Sequence, residues 1–366
     1  MDTVPASSNS VVVAPQSSAW DTHLQPAGCS NCRQAFLVPA GRLGESCPVC
    51  ARAALEPQPA VLQPRPPERI LPFTQERAAV RSHLDAFIQP VWFKPPDLNV
   101  DRLMERLTVV YWPMWLVDAT LDGSWQAEVG FDYQVKSSQE SFRSGSWVSQ
   151  EVVETRVRWE PRVGQIRRRF ENIVTPALMD HNAHLEKTGP YQLDVSQPFE
   201  SEDIEGAVLH LPDMQPENAW PIARDQFVSA AARDCQTAAA VKHLREFSLQ
   251  VEYSDQNWTQ LLLPLYTTRY VDDEGQQHPI WINGQTGKVY GVRMASQKQG
   301  QKWGLISLGA ALLVFIFSLL LTGLGAVLPP AAALGGLFVL VSAGLLLTAA
   351  VLALWPWQWN RSQPDS

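Results

Sequence analysis

Cys29, Cys32, Cys47 and Cys50 are set as two C-x2-C pairs separated by fourteen residues. A two-residue gap lets both sulfurs of a pair face one point, and a short hairpin between the pairs can bring all four together. Four thiolates suit tetrahedral Zn2+ and close its coordination shell, so the ion folds the segment and leaves no position for a reacting water. Gly28, Gly41 and Gly44 offer turning points, and Phe36, Leu37 and Val38 are the hairpin's few apolar side chains. So small a unit buries little, and the ion must supply most of its folding free energy. A redox dithiol would need one pair at the head of a helix in a strand–helix unit, a setting these pairs lack. The fifth cysteine, Cys235, stands alone in an alanine-rich stretch and reads as a small buried apolar residue. Such cysteine usage points to a reducing compartment.

A second concentration of chemistry lies between 154 and 171. Arg156, Arg158, Arg162, Arg167, Arg168 and Arg169 outnumber Glu154, Glu160 and Glu171, with Trp159 and Phe170 among them. On neighbouring strands they would form an anionic-ligand face, suited to nucleic acid through phosphate contact and stacking, or to lipid headgroups. A solvated strand face is the plainer reading. His181 and His184, beside Asp180 and Glu186, have ligand spacing for a helix but no third ligand, and read as a polar surface turn. GQTGK, 284–288, has two residues where a phosphate loop needs four, and Val289 follows, so it reads as a hairpin turn. Glu202, Asp203 and Glu205 read as a solvated acidic loop. With no hydrolase elbow, kinase set or dinucleotide fingerprint, the chain reads as non-enzymatic. A net charge of −8 argues against a surface given over wholly to nucleic acid.

The elements that must position these residues are readable from composition. Residues 1–25 lack the basic start and apolar core of a signal peptide and read as a disordered tail. Residues 26–54 are the zinc ribbon. Residues 55–70 hold five prolines between 57 and 67, a semi-extended spacer expected to hold the ribbon away from the rest. Residues 71–302 form an α+β cytoplasmic body. A helix over 73–88, with Thr74 as its cap, presents Val80, Leu84, Phe87 and Ile88 on one face, and a second helix is expected over about 221–245. Between and after them, alternating segments from TVVYWPMWLVDATL to HPIWINGQTGKVYGVRM predict a mainly antiparallel sheet. VVYWPMWLVDA and LLLPLYTTRYV echo one another, which suggests related halves.

No Asp, Glu, Lys or Arg occurs from 303 to 360. The runs 304–328 and 331–354 would each extend about 36 Å as helices, enough for a hydrocarbon layer of about 30 Å, with Pro329-Pro330 at the turn. Residues 303–357 are therefore expected to form a two-span helical hairpin, with 358–366 as the C-terminal tail. Trp303, Trp355, Trp357 and Trp359 suit a headgroup belt, and recurrent glycines suit close helix packing. Lys288, Arg293, Lys298 and Lys302 before the first span, against an uncharged far turn, place both termini in the cytoplasm.

Taken together, the ribbon, YWPMWLVDA, LLLPLY and INGQTGKVYG resemble a group of bacterial membrane-anchored zinc-ribbon proteins, often labelled TFIIB-type zinc-ribbon or primosomal-protein-N'-related, some of which accompany phage-shock or flotillin-like membrane proteins. The resemblance covers most of residues 26–302. It implies zinc on Cys29, Cys32, Cys47 and Cys50 and a characteristic hairpin at INGQTGKVYG. The expected function is an inner-membrane adaptor that presents the ribbon to a membrane or membrane-associated protein. The alternatives are a membrane-tethered nucleic-acid binder and a structural subunit of a larger membrane complex.

Overall fold

The computed structural model describes residues 24–58, 66–143, 146–324 and 328–363. The expected N-terminal tail lies almost entirely outside these, as does the middle of the proline-rich segment. In the cysteine segment, strand β1 (Leu24–Cys29) pairs antiparallel with β2 (Ala35–Pro39) on one side and β3 (Leu55–Pro57) on the other. After β4 (Arg69–Ile70) come helices α1 (Arg77–Ile88) and α2 (Val100–Glu105). The expected apolar stripe is realised on α1, where Val80, Leu84 and Ile88 are buried. Thr74 does not cap that helix; its hydroxyl donates to the Gln285 carbonyl instead.

Three long strands dominate the body. β5 (Thr108–Arg143) pairs with β6 (Ser146–Pro176) over nearly its whole length and with β9 (His243–Val271) over 108–130. β5 and β6 each run on through internal glycines. A Cβ on Gly123 would overlap the Gln250 carbonyl, and one on Gly164 would come within 2.7 Å of the Trp125 indole. These glycines admit a close neighbour within the strand. Between β6 and β9 lie α3 (His181–Thr188), β7 (Gln197–Pro198), β8 (Val208–His210) and α4 (Pro216–Ala238). The second expected helix is therefore displaced: from His243 the chain is strand, because β9 completes the ladder on β5. The two echoing segments are these paired strands, with Tyr111 opposite Pro264. β10 (Gln277–Asn283) and β11 (Val289–Gly291) close the sheet as a hairpin.

The sheet order is β11-β10-β9-β5-β8-β2-β1-β3, with β6 following β8 along the same edge of β5. Helix α4 covers β5, β6 and β9 through Ala219, Ala223, Phe227, Ala230 and Ala231, all on one helical face. Cys235 extends that stripe, buried as expected, and burial raises its thiol pKa.

Two apolar helices end the chain, α5 (Gln297–Leu324) and α6 (Pro329–Arg361), each long and apolar enough to cross a membrane. They pack on one another through small residues. On α5 the buried positions are Gly300, Gly304, Ala311 and Ser318; on α6 they are Ala331, Gly335, Ser342, Ala349 and Pro356. Steps of four and seven make this the seam of a two-stranded coil, here narrowed by small side chains. Gly309, Gly323, Gly336 and Gly344 point away from it, with open space around them. Leu313, Leu340 and Leu347 are among many large apolar residues left uncovered.

Candidate metal centre

The four sulfurs lie within 4.8 Å of one another. Cys29 and Cys50 are 3.6 Å apart and Cys32 and Cys47 3.7 Å apart, far from disulfide contact. Four sulfurs around one ion at about 2.3 Å would stand about 3.8 Å from each other, so the cluster has the dimensions of a tetrahedral thiolate cage. The two halves are built alike. The Arg33 amide donates to the Cys29 carbonyl and the Ala51 amide to the Cys47 carbonyl, both at 2.9 Å, closing each pair into a turn. The residue after each second cysteine, Arg33 at φ 60° and Ala51 at φ 57°, takes the left-handed conformation. Of the three glycines expected to make the turns, Gly44 alone has a positive φ. Two non-glycine residues thus sit where the conformation costs roughly 1–2 kcal/mol each, a cost that metal binding can offset.

The donor set fits a dication for an electrostatic reason as well. Contact with the Cys32 and Cys50 sulfurs, together with burial, pushes the Cys47 thiol far above its ordinary range. Contacts with Cys32 and Cys47 push the Cys50 thiol down. Crowded thiols compete for one negative charge, and a bound dication removes the competition by stabilising all four thiolates.

The knuckle is not held away from the body, and that expectation is corrected. Ala27, Cys29, Phe36, Val38, Cys47 and Leu55 share a single core with Val110, Trp112, Met114, Val208 and Trp281. Phe36 and Leu37 pair with His210 and Leu209, so β2 continues the body's sheet through β8. Both ends of the proline-rich segment are strands of that sheet, β3 beside β1 and β4 beside β7 and β9. Apolar side chains on both faces of β2 need covering, and only the body has the surface to do it.

His181 and His184, read as a surface turn, are instead 3 % and 2 % exposed on α3. Their rings lie against Trp112 at 5.3 and 5.4 Å, and His184 also lies 4.6 Å from Trp281. With His210, stacked on Phe36 at 4.9 Å, they form a buried aromatic layer under the knuckle. Burial, followed by the neighbouring His184, lowers the pKa of His181 to about 4 and of His210 to about 3. Among the described residues these imidazoles do not converge with a third ligand; the cysteines form the one group spaced for a metal. The signal for this layer is the helical spacing of His181, His184 and Thr188, all buried on one face of α3.

Where knuckle and body meet, a cavity of about 250 Å3 is lined by Asn31, Cys50 and Arg52 on one side and Lys187, Trp281 and Tyr290 on the other. Lys187 Nζ stands 5.0 Å over the Trp281 ring and 5.8 Å over Tyr290. Nothing in the spacing of these residues announced the groove.

The arginines do not form one positive face. Arg156, Arg158, Arg162 and Arg168 fall on one side of β6, and Arg167 and Arg169 on the other, by strand alternation over an unshifted register. Each has a carboxylate neighbour: Glu154 for Arg156, Glu160 for Arg158 and Arg162, Asp122 for Arg167, Asp234 for Arg168, and Asp118 with Glu171 for Arg169. GQTGK is a hairpin turn, in which Asn283 Oδ1 accepts from the Gln285 and Thr286 amides at 2.8 and 2.9 Å. Comparison of the chain with protein-family models, curated proteins and solved structures yields no match.

Proposed function

We propose that this chain is a membrane-anchored, non-enzymatic adaptor whose zinc-stabilised knuckle and adjoining sheet form one protein-recognition surface. The observation that carries this reading is the shared core of the cysteine knuckle and the strands of the body. A metal that folds the knuckle thereby also fixes the wall of the groove containing Arg52 and Lys187. Zinc is the assigned ion because four thiolates at cage spacing suit a d10 dication, whose contribution when bound is to hold the two turns together. α5 and α6 are the anchor: apolar side chains left uncovered around a two-helix seam match a hydrocarbon surround. The basic flank before α5 and the uncharged far turn support a bacterial inner-membrane placement with both termini cytoplasmic. This reading agrees with the resemblance to membrane-anchored zinc-ribbon proteins. The arginines, split between two faces and paired with carboxylates, give no comparable support to a nucleic-acid reading.

Affinity isolation of the full chain in mild detergent tests the adaptor role. A specific partner retained by the parent and by Trp147→Ser, but lost from an Arg52→Glu/Lys187→Glu double variant, is expected. The same proteins captured by all three would overturn it.

A further inference from the structure

Trp92 follows α1 in the loop 89–96 and is 64 % exposed, an unusual position for an indole with no function. Its ring lies flat on Trp355 of α6, with centroids 4.9 Å apart and planes 7° from parallel. The pairing of α5 with α6 fixes the height of that stack. A Cβ on Gly300 would touch Leu352 and Pro356, and one on Gly304 would touch Ala349 and Ala353, so Trp355 stands level with Gly300, about one helical turn from Trp303. Trp303 and Trp357 are 52 % and 49 % exposed at the same end of the helices. Trp92 therefore joins, from a distant part of the sequence, a ring of indoles at the boundary of the apolar stretch.

The loop is fastened there. The Ser296 amide donates to the Phe93 carbonyl at 2.7 Å, Gln299 Nε2 donates to the Lys94 carbonyl at 3.0 Å, and Phe93 meets Trp355 edge-on. On the α6 side, Asn360 exchanges two hydrogen bonds with the Ala295 backbone, and Trp359 Nε1 donates to the Arg293 carbonyl at 2.6 Å. Trp359 is thus packed into the body and is not a belt residue. Lys94 and Lys302 have no carboxylate within ion-pair distance among the described residues, and Arg361 stacks on Trp357 at 4.1 Å. The acidic loop Asp272–Glu274 meets the same start of α5, where Asp273 accepts from the Ser296 hydroxyl and from Lys298.

We propose that the 89–96 loop is a third membrane contact, seating Trp92 and Lys94 in the phospholipid headgroup layer beside the ends of α5 and α6. The inference rests on the two helices crossing the bilayer. An indole prefers that layer, and a lysine there meets phosphate. With three attachments, the body stands on the bilayer at a fixed orientation and cannot swing about a single hinge.

The test places a photoreactive benzophenone amino acid at position 92, 313 or 163 of the full chain. Each protein is reconstituted in vesicles of phosphatidylethanolamine and phosphatidylglycerol, and lipid adducts are read by mass spectrometry. Position 313 reports the span, and Val163, exposed on β6, reports background. Adducts at 92 and 313 but not at 163 are expected. Adducts at 313 alone overturn the loop contact and leave the spans standing. Absence of adducts at both 92 and 313 overturns the spans and the loop contact together.

Discussion

The cysteine knuckle and the far end of the β5–β6 hairpin are both small antiparallel pieces, yet one is sunk into the core and the other stands free. Beyond Gly130, which pairs with His243, β9 stops and only β6 accompanies β5. Residues 131–143 and 146–158 thus form a two-stranded arm extending about 43 Å at 3.3 Å per residue. Near its tip, Phe142 and Trp147 meet edge-on in solvent, with Trp147 70 % exposed. The difference lies in side chains. Phe36, Leu37 and Val38 are three consecutive apolar residues, so both faces of β2 require cover. The arm holds no run of three apolar residues, and polar and charged residues separate its apolar ones into singles and pairs. Docking depends on continuous apolar pattern more than on the length of the connecting segment.

The sharpest way to break this comparison is Cys47→Ser. Loss of one sulfur removes the cage, and because the knuckle lines the shared core, the body should lose stability with it, by on the order of 5 kcal/mol. Zinc content and thermal unfolding in detergent measure both. A metal-free variant with an unchanged melting temperature would mean that knuckle and body are energetically separate.

Phe36→Ala should come next, at about 3–5 kcal/mol, since the ring is fully buried between the two parts. Trp147→Ala at the tip of the arm should change stability by less than about 0.5 kcal/mol. Equal effects would erase the distinction.

The buried histidines make the docked region pH-sensitive. His181 and His210 are held neutral in the fold to about pH 4 and about pH 3, whereas unfolded histidine takes up its proton near about 6.5. The unfolded chain therefore binds more protons below about 6.5; this contribution is complete above that pH and is lost as pH falls toward 4. Denaturant midpoints between pH 7 and 5 should decline, and His181→Phe should flatten the decline. A slope unaffected by that substitution would place the titration elsewhere.

The smallest expected effect is a gain. Ala51 is in a left-handed turn, so Ala51→Gly should stabilise the metal-bound knuckle by up to about 1 kcal/mol, seen as slower metal loss to a chelator. Faster loss would show that the turn is not strained.

Much of the architecture was legible. The four cysteines fix their own cluster by spacing, α1 by its apolar stripe, and the two apolar helices by a long absence of charge. Less legible were the positions where an ordinary signal has two meanings. Gly123 and Gly164 are close approaches within continuous strands; His181 and His184 looked solvent-facing and are buried; the arginines, one face only if spread over neighbouring strands, occupy both sides of a single strand. The groove containing Arg52, Lys187 and Tyr290 joins residues more than a hundred positions apart and left no local trace.

Sequence alone determined which segments must find cover or a ligand, because apolar runs, cysteine spacing and helical period are properties of neighbouring residues. Only the tertiary structure decided which surface each segment found. Docking of the knuckle on β8, division of the arginines between faces and seating of Trp92 on Trp355 depend on strand register and helix height, set by contacts remote in the chain.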